Sequence, residues 1–166
     1  QRLALVGGAR HATKRWPLPA YRELARTLRR IRPNMQFSLG SGPEDASSVQ
    51  WLRQADPLED ASDTLDLDVL QLTDALAGCG AVVSVDSGPA HLAAALGRPG
   101  IVLFGPTSVR RWGPQTNNQR ALSLGLECAP CTNYGSSLCP LTHHQCMKEL
   151  GPDRVAEALL QVWTRQ

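Results

Sequence analysis

The sequence predicts an α/β fold, a doubly wound and mostly parallel sheet with helices on both sides, in a single domain over residues 1–166. Three observations predict it. Short apolar, β-branched runs alternate along the chain with longer stretches of helical spacing. One run, Val82 to Val85, is apolar nearly throughout, as a strand covered on both faces is. That run breaks at Asp86-Ser87-Gly88 and a helix pattern starts at once: Ser87 suits the N-cap, Pro89 the first turn, and Gly97 the end.

Leu3-Ala4-Leu5-Val6 reads as the first strand, and Gly7-Gly8-Ala9 turns out of it. The dinucleotide fingerprint G-x-G-x-x-G is absent from this turn. Lys14-Arg15-Trp16-Pro17 comes next, readable as a solvated basic turn with Trp16 packed on the sheet. Leu18, Tyr21, Leu24, Ala25, Leu28 and Ile31 recur at helical spacing and predict one buried face. Arg22, Arg26, Arg29 and Arg30 line the other face, solvated or turned toward anionic lipid. Met35 to Leu39 is a second strand, and Gly40-Ser41-Gly42-Pro43-Glu44 leaves its carboxyl end. A short helix is expected over 44–54, carrying Val49 and Leu52. Asp56 to Asp66 is acidic and turn-rich, with a short strand or none. Leu67, Val69, Leu72, Thr73 and Leu76 then predict a helix up to Gly78.

After the central stretch, Gly100 to Phe104 is a further strand, delivering Gly105-Pro106-Thr107 to the same sheet edge as Asp86-Ser87-Gly88. Ala121 to Gly125 reads as the last strand, and 152–164 as a terminal helix with Val155, Ala158, Leu159 and Val162 on one face.

Composition excludes several classes. The formal net charge of +2 gives no electrostatic footprint for nucleic acid. No apolar run approaches a membrane span, and Gln1 opens no signal-peptide pattern. The chain starts with Gln1 almost directly on a strand, so an excised domain of a longer protein is expected.

The central turn is the candidate site. A helix starting at the carboxyl end of a central parallel strand aims its free N–H groups and positive dipole end into the crevice above the sheet. Anions bind there, and small residues let them approach the backbone. His91 falls in the first turn of that helix and can donate a ring N–H. Thr107 either reaches a phosphate or caps the following turn. Two charge-assisted backbone bonds contribute roughly 1.5–3 kcal/mol each. A helix end adds about 0.3–1. Ordering costs leave about millimolar binding at best. The turn therefore needs partners.

Asp86-Ser87-Gly88-Pro89-Ala90-His91-Leu92-Ala93-Ala94-Ala95, followed by Phe104-Gly105-Pro106-Thr107, resembles the signature of the ADP-heptose:lipopolysaccharide heptosyltransferases, glycosyltransferase family 9. The family's wording is D-[ST]-G-x-x-H-L-A-A-A, then [FY]-G-P-T. Lys14-Arg15-Trp16-Pro17 is similar to its K-x-W-P, Gly40 to Glu44 to its G-x-x-x-E, and Trp112-Gly113-Pro114 to its W/T-G-P. The resemblance covers most of this chain but only the second half of such an enzyme. It implies the Rossmann-like, C-terminal, donor-binding half of a two-domain (GT-B type) glycosyltransferase, with the N-terminal acceptor domain absent.

By that resemblance Lys14 lies near the donor diphosphate, Glu44 binds the ribose and Leu67, otherwise plain core, lies against adenine. Asp86, Ser87, Gly88, His91 and Thr107 complete the donor site. The reaction implied is inverting transfer of heptose from ADP-heptose to lipid A–core oligosaccharide. The general base is expected in the missing domain, so no catalytic residue is assigned here and the isolated domain is expected to be inactive. Lysine and backbone donors take the place of a catalytic metal. A cytoplasmic setting is implied, with peripheral contact at the inner membrane, and the terminal helix is expected to pack back across the cleft. Rival readings are a donor domain for another sugar nucleotide, a sugar-nucleotide epimerase of the same architecture, and a non-catalytic nucleotide-binding module. An epimerase needs a catalytic carboxylate pair in the cleft, and none is assigned.

Four of five cysteines crowd into a loop over 128–147: Cys128, Cys131, Cys139 and Cys146. C-x2-C with two further cysteines suits tetrahedral structural zinc, and His143 or His144 can replace one sulfur. The second half is C-x6-C, and reduced thiols or a disulfide pair fit as well. Family members carry similar cysteines outside the reaction centre, which implies a structural role. Cys79 stands alone and is expected in the core.

Overall fold

The computed structural model describes residues 1–40, 46–63 and 67–164. Strands β1 (Arg2–Val6), β2 (Gln36–Gly40), β3 (Ser62–Asp63), β4 (Ala81–Val85), β5 (Gly100–Leu103) and β6 (Gln119–Leu122) form one sheet. Their order is β3-β2-β1-β4-β5-β6, and every neighbouring pair is parallel. The chain builds outward from β1 in one direction, then returns to add β4 on the other side. A crevice opens at the carboxyl ends of the strands where the order reverses. Here that place lies between β1 and β4.

The helices are α1 (Leu18–Ile31), α2 (Ala46–Arg53), α3 (Val69–Ala77), α4 (Gly88–Ala95), α5 (Val109–Trp112), α6 (Gln145–Lys148) and α7 (Pro152–Trp163). Successive strand residues face opposite sides of the sheet. Leu3, Leu5, Val83, Val85, Ile101 and Leu103 therefore share the larger core with Tyr21, Leu24 and Leu28 of α1 and Val155 and Leu159 of α7. Ala4, Val6 and Val82 meet Leu76 of α3 and Ala93 of α4 on the other side. Val102 packs there with Ala90 and Phe104. Cys79 is buried, as expected.

Two glycines fix the centre of the sheet. Gly97 ends α4 at φ +66°. Its N–H donates to Ala94 O while Arg98 N–H donates to Ala93 O, the paired bonds of a Schellman stop. Gly100 lies opposite Val82, and a Cβ there would stand 2.3 Å from the Val82 carbonyl oxygen.

Several expectations are corrected. Ile31 is 53 % exposed, because it ends α1 beyond the sheet. The last strand is Gln119–Leu122, not 121–125, since the chain pairs with β5 from Gly100 onward. Helix α7 packs on α1, β5 and β6. The arginine face of α1 divides: Arg22 and Arg29 engage the rest of the fold, while Arg26 and Arg30 are exposed. Arg22 stacks over Trp51 at 3.5 Å and donates to the Trp51 and Leu52 carbonyls. Arg29 donates to Pro57 O at 3.2 Å, and Arg26 pairs with Glu23 at 3.2 Å.

Candidate functional site

The site begins with the turn after β1. A single 3-10 turn, Ala12–Lys14, delivers Lys14 to the crevice. Trp16 anchors the entry to α1: its indole N–H donates to Leu150 O at 2.9 Å and its ring meets Tyr21 edge-on at 4.7 Å. Lys14 Nζ stands 3.2 Å from Asp86 Oδ2, with only 15 % and 7 % of the two side chains exposed. The same Asp86 oxygen accepts from Thr107 Oγ1 at 2.7 Å. One carboxylate at the end of β4 thus ties together the turns after β1 and β5.

Thr107 is therefore neither the free phosphate donor nor the turn cap that its sequence position suggests. Its hydroxyl proton is committed to Asp86, it is buried, and Ser108 caps α5 instead. Ser87 sits at the N-cap of α4 but makes no side-chain cap bond. Its Oγ donates backward to Val85 O at 3.2 Å. In the first turn of α4, Pro89 has no N–H and Ala90 N–H donates to Ser87 O at 3.1 Å, so it is the Gly88 N–H that is left to the cleft. Gly88 comes next, and a Cβ there would meet nothing within 4 Å. That open space leaves the helix end accessible from the cleft.

Lys14, Asp86, Ser87, Gly88 and the exposed His91 line a cleft of about 150 Å³. Pockets that bury a drug-sized ligand run to about 300–1,000 Å³. The cleft is therefore sized for a group such as a phosphate or diphosphate and is smaller than a whole nucleotide. Its outer wall is not legible in the sequence. Trp112, Asn133 and Tyr134 close it. Trp112 Nε1 donates to Asn133 O at 2.8 Å, and the Trp112 and Tyr134 rings meet at 5.7 Å. Asn133 and Tyr134 come from the cysteine-rich loop, which carries no periodic signal. Trp112-Gly113-Pro114 is the one available pointer.

Glu44, the expected ribose ligand, lies outside the described residues. Leu67 precedes the capping box that Asp68 and Gln71 make at the start of α3. It is 37 % exposed, which removes the plain-core reading, and it does not line the cleft.

All five cysteines are free. Among the described residues no three His, Cys, Asp or Glu side chains gather as a metal-ligand set. The loop thiols still lie near enough to influence one another. Burial, and then the charges of Cys131, Cys139 and Cys128, push Cys146 up to about 11. Burial raises Cys131 as well. The Cys146-Met147 pair packs against the F-G-P-T turn: a Cβ on Gly105 would stand 2.6 Å from Met147 Sδ and 3.0 Å from Cys146 Sγ.

A doubly wound parallel sheet with a lysine, a helix N-terminus and a histidine around a small cleft at its strand-order reversal is an arrangement suited to an anionic ligand. Residues 1–142 match glycosyltransferase family 9 (heptosyltransferase). Lipopolysaccharide heptosyltransferase 1 of Pseudomonas aeruginosa is 34 % identical over 95 % of this chain and 46 % of its own length. Lipooligosaccharide heptosyltransferase 2 of Campylobacter jejuni is 27 % identical over 91 % of the chain and 47 % of its own length. The solved structure of the Escherichia coli ADP-heptose lipopolysaccharide heptosyltransferase II superposes with a TM-score of 0.79 at 28 % identity, covering 99 % of this chain and 46 % of that one. The chain belongs to glycosyltransferase family 9, and it spans about half the length of these relatives. No helix among the described residues is long and apolar enough to cross a membrane.

Proposed function

We propose that this chain is the donor-binding half of an enzyme that transfers heptose from ADP-heptose to the inner core of lipopolysaccharide. The observation that carries the reading is the cleft itself. It places the Lys14 ammonium and the α4 N-terminus around a space the size of a diphosphate, at the switch point of the sheet. The names of the curated relatives supply the sugar and the acceptor.

In this reading the donor diphosphate draws Lys14 Nζ partly away from Asp86 and accepts from the Gly88 N–H. His91 donates from the same helix turn. Asp86 keeps its hydrogen bond from Thr107 and part of its pairing with Lys14, and is left beside the sugar end of the donor. Leu67, which is exposed, is assigned to the base, and the family resemblance assigns Glu44 to the ribose. The acceptor hydroxyl oxygen attacks the anomeric carbon from the face opposite the phosphate. That bond forms as the bond from anomeric carbon to phosphate oxygen breaks. The electron pair leaves with ADP, and the acceptor proton goes to a carboxylate outside this chain. Negative charge grows on the departing diphosphate, so donors already aimed at it hold it more tightly in the transition state than in the ground state. Lys14 does this as a compact ammonium. A lipid-linked acceptor would bring the enzyme to the cytoplasmic face of the inner membrane.

The test is transfer by the full-length protein. ADP-heptose and a heptose-deficient lipopolysaccharide acceptor should give product of inverted configuration, and Lys14→Ala should lower kcat/KM by about 10²-fold or more. Turnover with uridine or guanine donors in preference to ADP-heptose would reject the assignment.

A further inference from the structure

The mechanism leaves the cysteine-rich loop without a task, yet the loop reaches the turn that carries Lys14. Thr13 is 4 % exposed and is held from three sides. Its N–H donates to Ser136 O at 3.2 Å and its Oγ1 donates to the same oxygen at 2.8 Å. Ser136 N–H donates back to Thr13 Oγ1 at 2.9 Å. His144 Nε2 donates to Thr13 O at 2.7 Å, so the proton sits on that nitrogen. Gly135 lies flat on the lysine itself. A Cβ there would stand 2.9 Å from Lys14 Cδ, 3.0 Å from Lys14 Cγ and 2.7 Å from His11 Cβ. Its φ of +103° is one that a side chain would resist in any case.

These contacts span more than 120 residues of sequence and converge on one short turn. Thr13 is the residue they hold, and Lys14 is the next. The amine end of Lys14 is paired with Asp86, while its stem lies against Gly135. A lysine has four side-chain torsions, and fixing them in advance is worth roughly tenfold in an equilibrium constant. We propose that the 128–147 loop is a positioning element for Lys14, with Thr13, Gly135, Ser136 and His144 as the residues that hold the ammonium in the cleft. The consequence for ADP affinity rests on the donor reading above; the consequence for Lys14 itself does not.

The chain has only two lysines, Lys14 and the exposed Lys148, which makes the test clean. Acetylation of each by an N-hydroxysuccinimide ester is timed by peptide mass spectrometry, with Lys148 as the internal control. Thr13→Val keeps the shape and removes the hydroxyl; Thr13→Ser keeps the hydroxyl. Lys14 should react slowly in the parent chain and in Thr13→Ser, and about tenfold faster in Thr13→Val, with Lys148 unchanged. His144→Asn, which tolerates the backbone at φ 52°, should give a smaller rise in the same direction and serves if Thr13→Val fails to fold. In parallel, Thr13→Val should weaken ADP by about tenfold in the parent and have no effect in a Lys14→Ala background. Unchanged Lys14 acetylation in Thr13→Val and His144→Asn would overturn the proposal, as would equal ADP losses in both backgrounds. Faster Lys14 acetylation in a chain that binds no ADP would uphold the positioning role and reject the donor reading alone.

Discussion

Lys14 Nζ and Asp86 Oδ2 meet at 3.2 Å across the junction of β1 and β4, the one place where this sheet reverses its order. The pair is nearly buried, and Thr107 closes it from the third side. Removing one partner of such a pair leaves an uncompensated charge, which costs about 3–5 kcal/mol when burial is complete. Asp86→Ala strips Lys14 and Thr107 of their acceptor together. We expect about 3 kcal/mol of lost stability, or roughly 6–12 °C in Tm for a chain of this size, read by calorimetric melting. Thr107→Val removes one bond and should cost less.

Gly88 separates binding from folding. A Cβ at this position meets open space within the protein, so Gly88→Ala should melt within about 1 kcal/mol of the parent. The same methyl stands where a ligand would approach the Gly88 N–H at the start of α4. Affinity for ADP, measured by calorimetry, should drop about tenfold or more.

Gly100 and Gly105 test the sheet and the loop in turn. Gly100→Ala drives a Cβ onto the backbone of Val82, which cannot step aside without parting β4 from β5. Soluble, cooperatively folding protein should be lost. Gly105→Ala presses instead on the Met147 side chain, which is flexible but buried. We expect a loss of about 1–3 kcal/mol by denaturant unfolding, with the fold kept.

Cys146 predicts the alkaline limit. Its thiol is pushed up to about 11 in the folded chain, against an ordinary value of 9.0. Between those values the folded state keeps a proton that the unfolded chain has released, so stability falls as pH rises. The contribution is complete below pH 9 and is lost through 11. Unfolding midpoints should decline over that range, and Cys146→Ala should flatten part of the decline. Cys79 and Cys131 shift in the same direction and account for a further share.

Much of the fold is legible in the chain. The strand-turn-helix at Val82 to Gly97 carries its own local signals: β-branched residues, a small-residue break, a proline in the first turn and a positive-φ glycine at the end. Those signals are short-range, and the fold obeys them. Ser87, Gly88 and His91 can be picked out for that reason, whereas Lys14 and Asp86 are singled out only by the resemblance to the family's motifs. Thr107 lies at the edge the sequence indicates but has a different partner, because nothing local shows that a hydroxyl after β5 meets a carboxylate after β4. Tyr134 and Asn133 give no signal at all. They sit in a loop without hydrophobic period, seated by bonds between Thr13 and Ser136, 123 residues apart. Ile31 keeps the helical spacing of its neighbours and still faces solvent, since spacing gives a direction around the axis but not how far the sheet extends beneath it.

Calorimetric titration of this chain with ADP and with UDP, repeated in Lys14→Ala, is the most direct test. ADP should bind more tightly than UDP, and Lys14→Ala should weaken it by about tenfold or more, in line with one charge-assisted contact to phosphate. Equal or tighter binding of UDP, or ADP binding untouched by Lys14→Ala, would contradict a cleft built for the diphosphate of an adenine nucleotide sugar.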